Sequence, residues 1–519
     1  MLVSLAFDRW DAHRRACRGR GGDRGSRAMR SLGVCASVVS LALATSCGST
    51  VQVHGGSGLQ DGTTGTELGG STASSVTRGG VGATPTSAKG SNDGAGAPPG
   101  SMPTSLATAA PHDAAVPSNG LAGAALGVTA TTIKIGVYTA DGFTQLAASA
   151  GAAIATGNNR AQASAVIDYI NGHGGLAGRK IIPVFHDFPT TTTSSDTEYQ
   201  TACAAWTQDN HVYAVVTPVG TADSNLYQCL SKAGVTAVSA VDSKDATFFQ
   251  KYGDWFYEPT DINLRRILSN EVDGLSSANF FGSRPKIGIV LNDTTDERTA
   301  VDLGLKPALA RHGLALTDSF IAPLDSSAQA AYGNAVLRFR AEGITHVLFS
   351  AQVSALQWME DASSQAYYPR YGFNSKNGTS VLQTVSAARA QHGAMGIGWQ
   401  PLADVDLAHQ PPPMNHRQTL CRRLMTQAGQ DASQASLVLG LFYCDMLFFL
   451  QDAMRNALTL SVTGFRQGAE SLASFESAST FRSTLTPDQL HDGAHGYRMF
   501  AFVDSCSCYE YTTPLRPTS

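Results

Sequence analysis

The residues of this chain that could do chemistry sit in short polar loops. Thr139, Asp141 and Phe143 follow one apolar run, Thr217, Val219, Gly220 and Thr221 close another, and Asp242 and Ser243 follow a third. Hydroxyls and carboxylates beside a glycine, with backbone N–H groups at a helix start, suit reversible capture of a small polar solute. The same residue types also serve as turn and capping residues for local reasons, and that reading stands beside the first. Asp293 and Gln352 follow two further apolar runs, and Trp399 precedes Gln400-Pro401. Signatures of covalent and metal catalysis were sought, and the sequence holds no G-x-S-x-G, no H-E-x-x-H and no Walker loop. Gly174-Gly175-Leu176-Ala177-Gly178-Arg179-Lys180 lies between a helix and a strand, the reverse of a phosphate loop, and reads as a turn. His173, His186, His211 and His346 are dispersed. The expectation is no enzymatic activity, cofactor or metal.

Such loops need a scaffold, and from residue 131 the pattern supplies one. Ile133 to Tyr138, Lys180 to Phe185, Val212 to Val216 and Val235 to Ala240 read as strands. Between the first two, Ala163, Val166, Ile167 and Ile170 fall at helical spacing, and the helix stops at Asn171-Gly172-His173-Gly174-Gly175. After a connector at Trp255 to Pro259 the alternation restarts, with Ile287 to Leu291 and His346 to Ser350 as buried strands. Strands separated by crossover helices argue an α/β fold: two Rossmann-like lobes, each with a parallel central sheet. In such sheets ligands bind beyond the carboxyl ends of the strands, where the polar loops lie. Two lobes joined by connectors suggest a cleft that closes by hinge motion. The apolar run from Leu437 to Leu450 holds only 14 residues, with Asp445 inside, and reads as a core helix.

Composition narrows the classes further. The chain has 519 residues, enough for two or three domains, and a formal charge of −4, which argues against a basic nucleic-acid binder. Residues 1–46 carry eight arginines and three aspartates, followed by an uncharged stretch from Ser31 to Ser46. A basic segment, a short apolar segment and small residues before a cut make an export signal. Without it the formal charge is −9, so charge would not hold the chain to anionic lipid. Leu43-Ala44-Thr45-Ser46-Cys47-Gly48 resembles the lipobox of bacterial lipoproteins, which implies acylation of Cys47. Residues 47–126 are rich in Gly, Ser, Thr and Ala, and no aromatic residue occurs between Trp10 and Tyr138. That composition cannot offset its ordering entropy and reads as a flexible tether.

The motifs, in their order, resemble those of the Leu/Ile/Val-binding protein family, the type I periplasmic solute-binding proteins of ABC importers. The resemblance rests on Ile133-Lys134-Ile135-Gly136-Val137, Tyr169 through Ile181, and Val215-Val216-Thr217-Pro218-Val219-Gly220-Thr221. Ala233 through Ser239, Phe256-Tyr257-Glu258-Pro259-Thr260-Asp261, Tyr371-Gly372-Phe373-Asn374-Ser375 and the helix Tyr443 to Ala457 extend it over about 130–515. It implies three crossings between lobes, a Venus-flytrap hinge, near 257–261, 399–401 and 488–497. The lobes would be 127–258 with 401–488, and 259–400 with C-terminal strands at 489–519. It implies a ligand whose carboxylate is held by hydroxyls and backbone N–H groups of the 217–221 and 242–243 loops. Where the family has Tyr-Gly after the first strand of its second lobe, this chain has Asn292-Asp293-Thr294-Thr295-Asp296-Glu297, which argues against Leu, Ile or Val as the ligand. The implied partners are a small-molecule ligand, ABC permease subunits and the membrane through a lipid anchor, on the outer face of the cell. A sensor with the same fold is the alternative reading, and an exported enzyme the third.

Six cysteines follow Cys47: 203, 229, 421, 444, 506 and 508, and an even number in an exported chain suggests bridges. The resembling family has a bridge in the region of Cys203 and Cys229, which flank the third strand, so these two are paired. Cys421 with Cys444 is the second pairing. Cys506 and Cys508 form either a tight bridge or part of a metal site. Zinc wants four ligands at defined spacing, and no C-x-x-C or H-x-x-x-H partner stands nearby, which favours the bridge.

Overall fold

The computed structural model describes residues 125–140, 142, 144, 155–188, 195–218, 225–242, 244–323, 327–350, 355–413, 415–485 and 491–518. The leader, Cys47 and the segment up to residue 124 lie outside them.

Two sheets organise the chain. The first contains β1 (Thr132–Thr139), β2 (Lys180–Asp187), β3 (Ala214–Thr217), β4 (Thr236–Ser239) and β5 (Phe256–Tyr257), in the order β2-β1-β3-β4-β5. Every neighbour is parallel. Alternate side chains take opposite faces. Ile135, Val137, Val216 and Val238 pack under the helices Asn159–Gly172 and Gln434–Asn456. Tyr138, Val215 and Ala237 meet Trp206, Leu226, Tyr227 and Phe248 on the other side. Because both faces are covered, β3 and β4 are buried at all four positions, which is why they read as short apolar runs.

Local chemistry sets the helix ends. The Asn158 side chain accepts from Ala161 N at 2.9 Å and starts the helix whose inward face is Ala163, Val166, Ile167 and Ile170. Gly175 (φ 67°) then turns the chain, and a side chain there would put its Cβ 2.1 Å from the Arg179 carbonyl oxygen. Leu176 and Arg179 exchange backbone hydrogen bonds at 2.9 Å, so the glycine-rich segment is a turn. The 23-residue helix Gln434–Asn456 is apolar and long enough to cross a membrane by length and composition, yet it is buried in the protein as the central helix of this lobe. Its Asp445 accepts four hydrogen bonds, of 2.6 to 2.9 Å, from Ser477, Ala478 and Ser479, which offsets the cost of burying a carboxylate.

The second sheet contains β6 (Ile287–Asn292), β7 (Leu316–Ala322), β8 (His346–Phe349), β9 (Arg370–Asn374), β10 (Met395–Gly398), β11 (Gly496–Val503), β12 (Cys508–Tyr511) and β13 (Arg516–Pro517). Its order is β12-β11-β10-β9-β8-β6-β7, with β13 also on β11. β6 to β10 are parallel, whereas β11, β12 and β13 join as antiparallel strands. The helix Leu264–Ser277 covers one face, and Ala328–Glu342 and Ala355–Ser364 the other.

Three crossing segments join the lobes and are laced to one another. Glu258 N donates to His491 O at 2.9 Å, Gly493 N to Glu258 O at 2.8 Å and Ala494 N to Asp261 O at 2.9 Å. Gln400 Nε2 reaches Thr260 O at 3.5 Å, and Phe481 N reaches Trp399 O at 3.2 Å. Gly493 is needed here because a Cβ would stand 2.1 Å from Pro259 O. The buried Asp492 carboxylate accepts from Asn263 N at 2.8 Å, Asn263 Nδ2 at 2.9 Å and Arg266 Nη1 at 2.6 Å, fixing the start of the helix Leu264–Ser277. Disulfides join Cys203 to Cys229, Cys421 to Cys444 and Cys506 to Cys508.

Candidate ligand-binding cleft

Parallel pairing places the carboxyl ends of β1, β3 and β4 side by side, and with them Thr139, Thr217 and the loop after Ser239. Thr139 is buried, and its hydroxyl donates to the Asp187 carboxylate. The Tyr227 hydroxyl donates to Asp242, so Thr217 Oγ1, 3.2 Å from the Tyr227 oxygen, donates to Tyr227. Ser239 Oγ donates to the same Asp242 oxygen at 3.1 Å. Asp242 therefore sits at the centre of a buried polar cluster.

Lys244 completes that cluster. It is 2% exposed, with Nζ 3.4 Å from Asp242 Oδ1 and over the rings of Tyr227 and Phe248 at 5.8 and 5.7 Å. Its carbonyl accepts from Leu264 N at 3.0 Å. The next residue, Asp245, caps the helix Ala246–Tyr252 and takes two bonds from Arg265, at 2.8 and 3.3 Å. Asp245 N also points at Asp296 Oδ1, 3.4 Å away. One loop of the first sheet thus touches both the start of the helix Leu264–Ser277 and the first turn of the helix Thr295–Ala300 that follows β6.

The helix start that faces this loop is acidic, with Asp296 and Glu297 in the first turn of Thr295–Ala300. Burial pushes the Asp296 carboxyl up, and the Lys244 charge only partly opposes this. Burial likewise pushes Glu297 up to about 7, although Asn292 N and Asn292 Nδ2 donate to it at 2.7 and 2.9 Å. Asp293 lies in the loop after β6 but turns outward to Arg298 at 2.6 Å and is about half exposed. Trp399 is fully buried among Leu264, Ile267, Leu291 and Ile397, and its indole N–H has no partner among the described residues.

The structure thus brings the loop of Asp242 against the helix start that follows Asp293 and leaves Trp399 in the core of the second lobe. Asp141, Phe143, Val219, Gly220, Thr221, Ser243 and Gln352 lie outside the described residues. Sequence reasoning missed Lys244, Tyr227, Asp296 and Glu297. For Lys244 a signal existed: it follows Asp242-Ser243 directly, in a loop already singled out. A hollow lined by Ala125, Leu126, Tyr213, Thr236, Leu460 and Val462 lies at the opposite end of the first sheet, where β4 begins.

No protein-family model and no curated protein matches the chain. Solved structures do. A fatty acid ABC transporter substrate-binding protein from Thermomonospora curvata is 15% identical, covering 77% of this chain and 96% of its own, with a TM-score of 0.57. The solute-binding protein of an R. palustris ABC transporter, in complex with 4-hydroxybenzoate, is 11% identical over 75% of this chain and 97% of its own, with a TM-score of 0.57. A branched-chain amino acid transporter substrate-binding protein from Streptococcus pneumoniae, in complex with isoleucine, is 13% identical over 74% and 100%, with a TM-score of 0.51. The fold is that of the type I periplasmic binding proteins.

Proposed function

We propose that this chain is an extracytoplasmic solute-binding protein that closes its two lobes on a small ligand and delivers it to an ABC importer. The observation that carries this reading is the meeting of polar loops from the carboxyl ends of two separate sheets, across a hinge of three laced segments. The three proteins named above carry a fatty acid name, 4-hydroxybenzoate and isoleucine, all of them carboxylates. A carboxylate-bearing solute suits this cleft as well. The Thr217 to Thr221 loop would supply hydroxyl and backbone donors, and Lys244 a nearby ammonium. Export through residues 1–46, acylation of Cys47 and a tether at 47–126 would hold the binding lobes at the outer face of the membrane. We assign 127–258 and 401–488 to one lobe, and 259–400 and 489–519 to the other.

A thermal-shift panel of amino acids, aromatic acids and fatty acids, with the matching amides as uncharged controls, tests this. Ligand at a hundred times its dissociation constant adds about 2.7 kcal/mol of stability. A shift with an acid and none with its amide supports a carboxylate site. No shift across the panel refutes the proposed ligand class.

A further inference from the structure

The pair Cys506 and Cys508 lies at the turn between β11 and β12, where Glu510, two residues on, and His409, distant in sequence, meet it. His409 comes from the short turn Leu407–His409, and Glu510 from β12. One ligand atom from each of His409, Cys506, Cys508 and Glu510 falls within 4.8 Å of all the others. His409 Nε2 is 3.6 Å from Cys508 Sγ and 3.5 Å from Glu510 Oε1. Both sulfurs are 3.9 Å from the same Glu510 oxygen. Zinc with bonds of about 2.3 Å to sulfur and about 2.0–2.1 Å to nitrogen and oxygen gives a tetrahedron with edges of about 3.4–3.8 Å. Four of the six edges are therefore already close to the required length.

A second observation points the same way. The other ring nitrogen, His409 Nδ1, is 2.7 Å from Asp406 Oδ1. That carboxylate also accepts from the Ala408 and His409 backbone N–H groups at 3.0 Å, and its second oxygen accepts from Gln383 Nε2 at 3.0 Å. A carboxylate held this firmly fixes the tautomer, leaving the Nε2 lone pair directed at the sulfurs and Glu510. This is the outer-shell arrangement that metal-binding histidines use.

We propose that His409, Cys506, Cys508 and Glu510 form a zinc(II) site that exists only when the Cys506–Cys508 disulfide is reduced. A dithiol reductant opens the bridge: it gives up two electrons and two protons, becomes a disulfide, and leaves two protein thiols. Zinc(II) then replaces the two S–H protons, which are released to solvent. The two states exclude each other, since each sulfur bonds either to its neighbour or to the metal. Bound zinc would tie β12 to the segment between the second crossing and the helix His416–Gln427.

The test titrates the full chain with zinc(II) against a chromophoric chelator, with and without a phosphine reductant, and repeats it with cobalt(II). The reduced chain is expected to take up one metal and show the thiolate-to-cobalt band and the intense visible bands of a tetrahedral site; the oxidised chain is not. Cys506→Ser with Cys508→Ser abolishes uptake. His409→Ala weakens it at least tenfold, and the conservative Asp406→Asn, which keeps the turn capped, weakens it about 10- to 100-fold. Reduction also opens the other two disulfides, so metal that survives in the Cys506/Cys508 and His409 variants belongs to them and overturns the proposal. So does a reduced chain that shows free thiols at 506 and 508 yet binds no metal, or a bridge that resists reduction in the folded protein.

Discussion

Stability should fall between pH 7 and pH 8, and two carboxyl groups should account for most of it. Glu271 and Asp404 are fully buried around the second sheet. Glu271 Oε2 accepts one bond, from Asn374 Nδ2 at 3.0 Å, and Asp404 Oδ2 accepts from the Tyr511 hydroxyl at 2.7 Å. The second oxygen of each has no partner among the described residues. Burial therefore outweighs these bonds and pushes both groups up to about 8. A carboxyl raised on folding gives stability that is full below its unfolded pKa and is lost as pH rises through the folded one. Burial pulls His346, His491 and His495 down, so their opposing contribution grows only up to about pH 6.5 and is flat above it. In the window from pH 7 to 8 these two acids dominate, and Glu297, raised to about 7, adds about 0.3 kcal/mol of loss. With folded values of about 8, each loses about 1 kcal/mol across it, and the pair about 2 kcal/mol. Urea unfolding at the two pH values measures the drop. Glu271→Gln and Asp404→Asn should each remove somewhat under half of it, and the double variant most of it, leaving the Glu297 share. Equal stability at pH 7 and 8, or a full drop in the double variant, would refute the reasoning.

Other expectations follow from single groups. Asp492→Ala leaves Arg266 and Asn263 facing a buried void, so the urea midpoint should fall by the equivalent of about 3–5 kcal/mol; a loss under about 1 kcal/mol would show that the third crossing does not depend on this pair. Asp445→Ala strands the donors of Ser477, Ala478 and Ser479 and should cost roughly 3 kcal/mol, with faster proteolysis near 477–479 as a second readout. Thr221→Ala should weaken binding of whatever solute the thermal-shift panel selects by about 1–3 kcal/mol, measured by calorimetry, and unchanged affinity would remove Thr221 from the site.

Local pattern and long-range placement were not equally legible in the sequence. The strands at Ile133, Lys180, Val215 and Ile287 and the helix holding Ala163 to Ile170 stand within two residues of their expected places, because burial on a fixed face leaves a period that neighbours alone reveal. β5 was hidden: Phe256 and Tyr257 read as a connector, and only pairing with Ala237 and Val238 makes them a strand. The antiparallel pairing of β11 with β10 likewise depends on a partner about a hundred residues away. Trp399 shows the limit most clearly. Its type and its place beside a crossing fit ligand stacking or core packing equally well, and the contact with the helix Leu264–Ser277 exists only in three dimensions.

The same limit governs the polar clusters, where it bears on function. Lys244 is an ordinary surface residue by type, and its burial against Asp242, Tyr227 and Phe248, beside Leu264 and Asp296, is not legible from its neighbours in sequence. The Cys506-Ser507-Cys508 triplet offers two ligands and Glu510, two residues on, a third, but a fourth does not stand nearby in the chain. His409 arrives from almost a hundred residues upstream, carried by the segment that leaves the second crossing. In both places chemistry is assembled by segments distant in sequence. A fold held by three crossings creates such meeting points because each crossing must satisfy its polar groups against segments distant in sequence. Groups that meet there are the ones most exposed to a change in lobe position. If the lobes close on a ligand, Lys244 and Asp296 should respond first, because Asp245 N and Asp296 already meet at 3.4 Å.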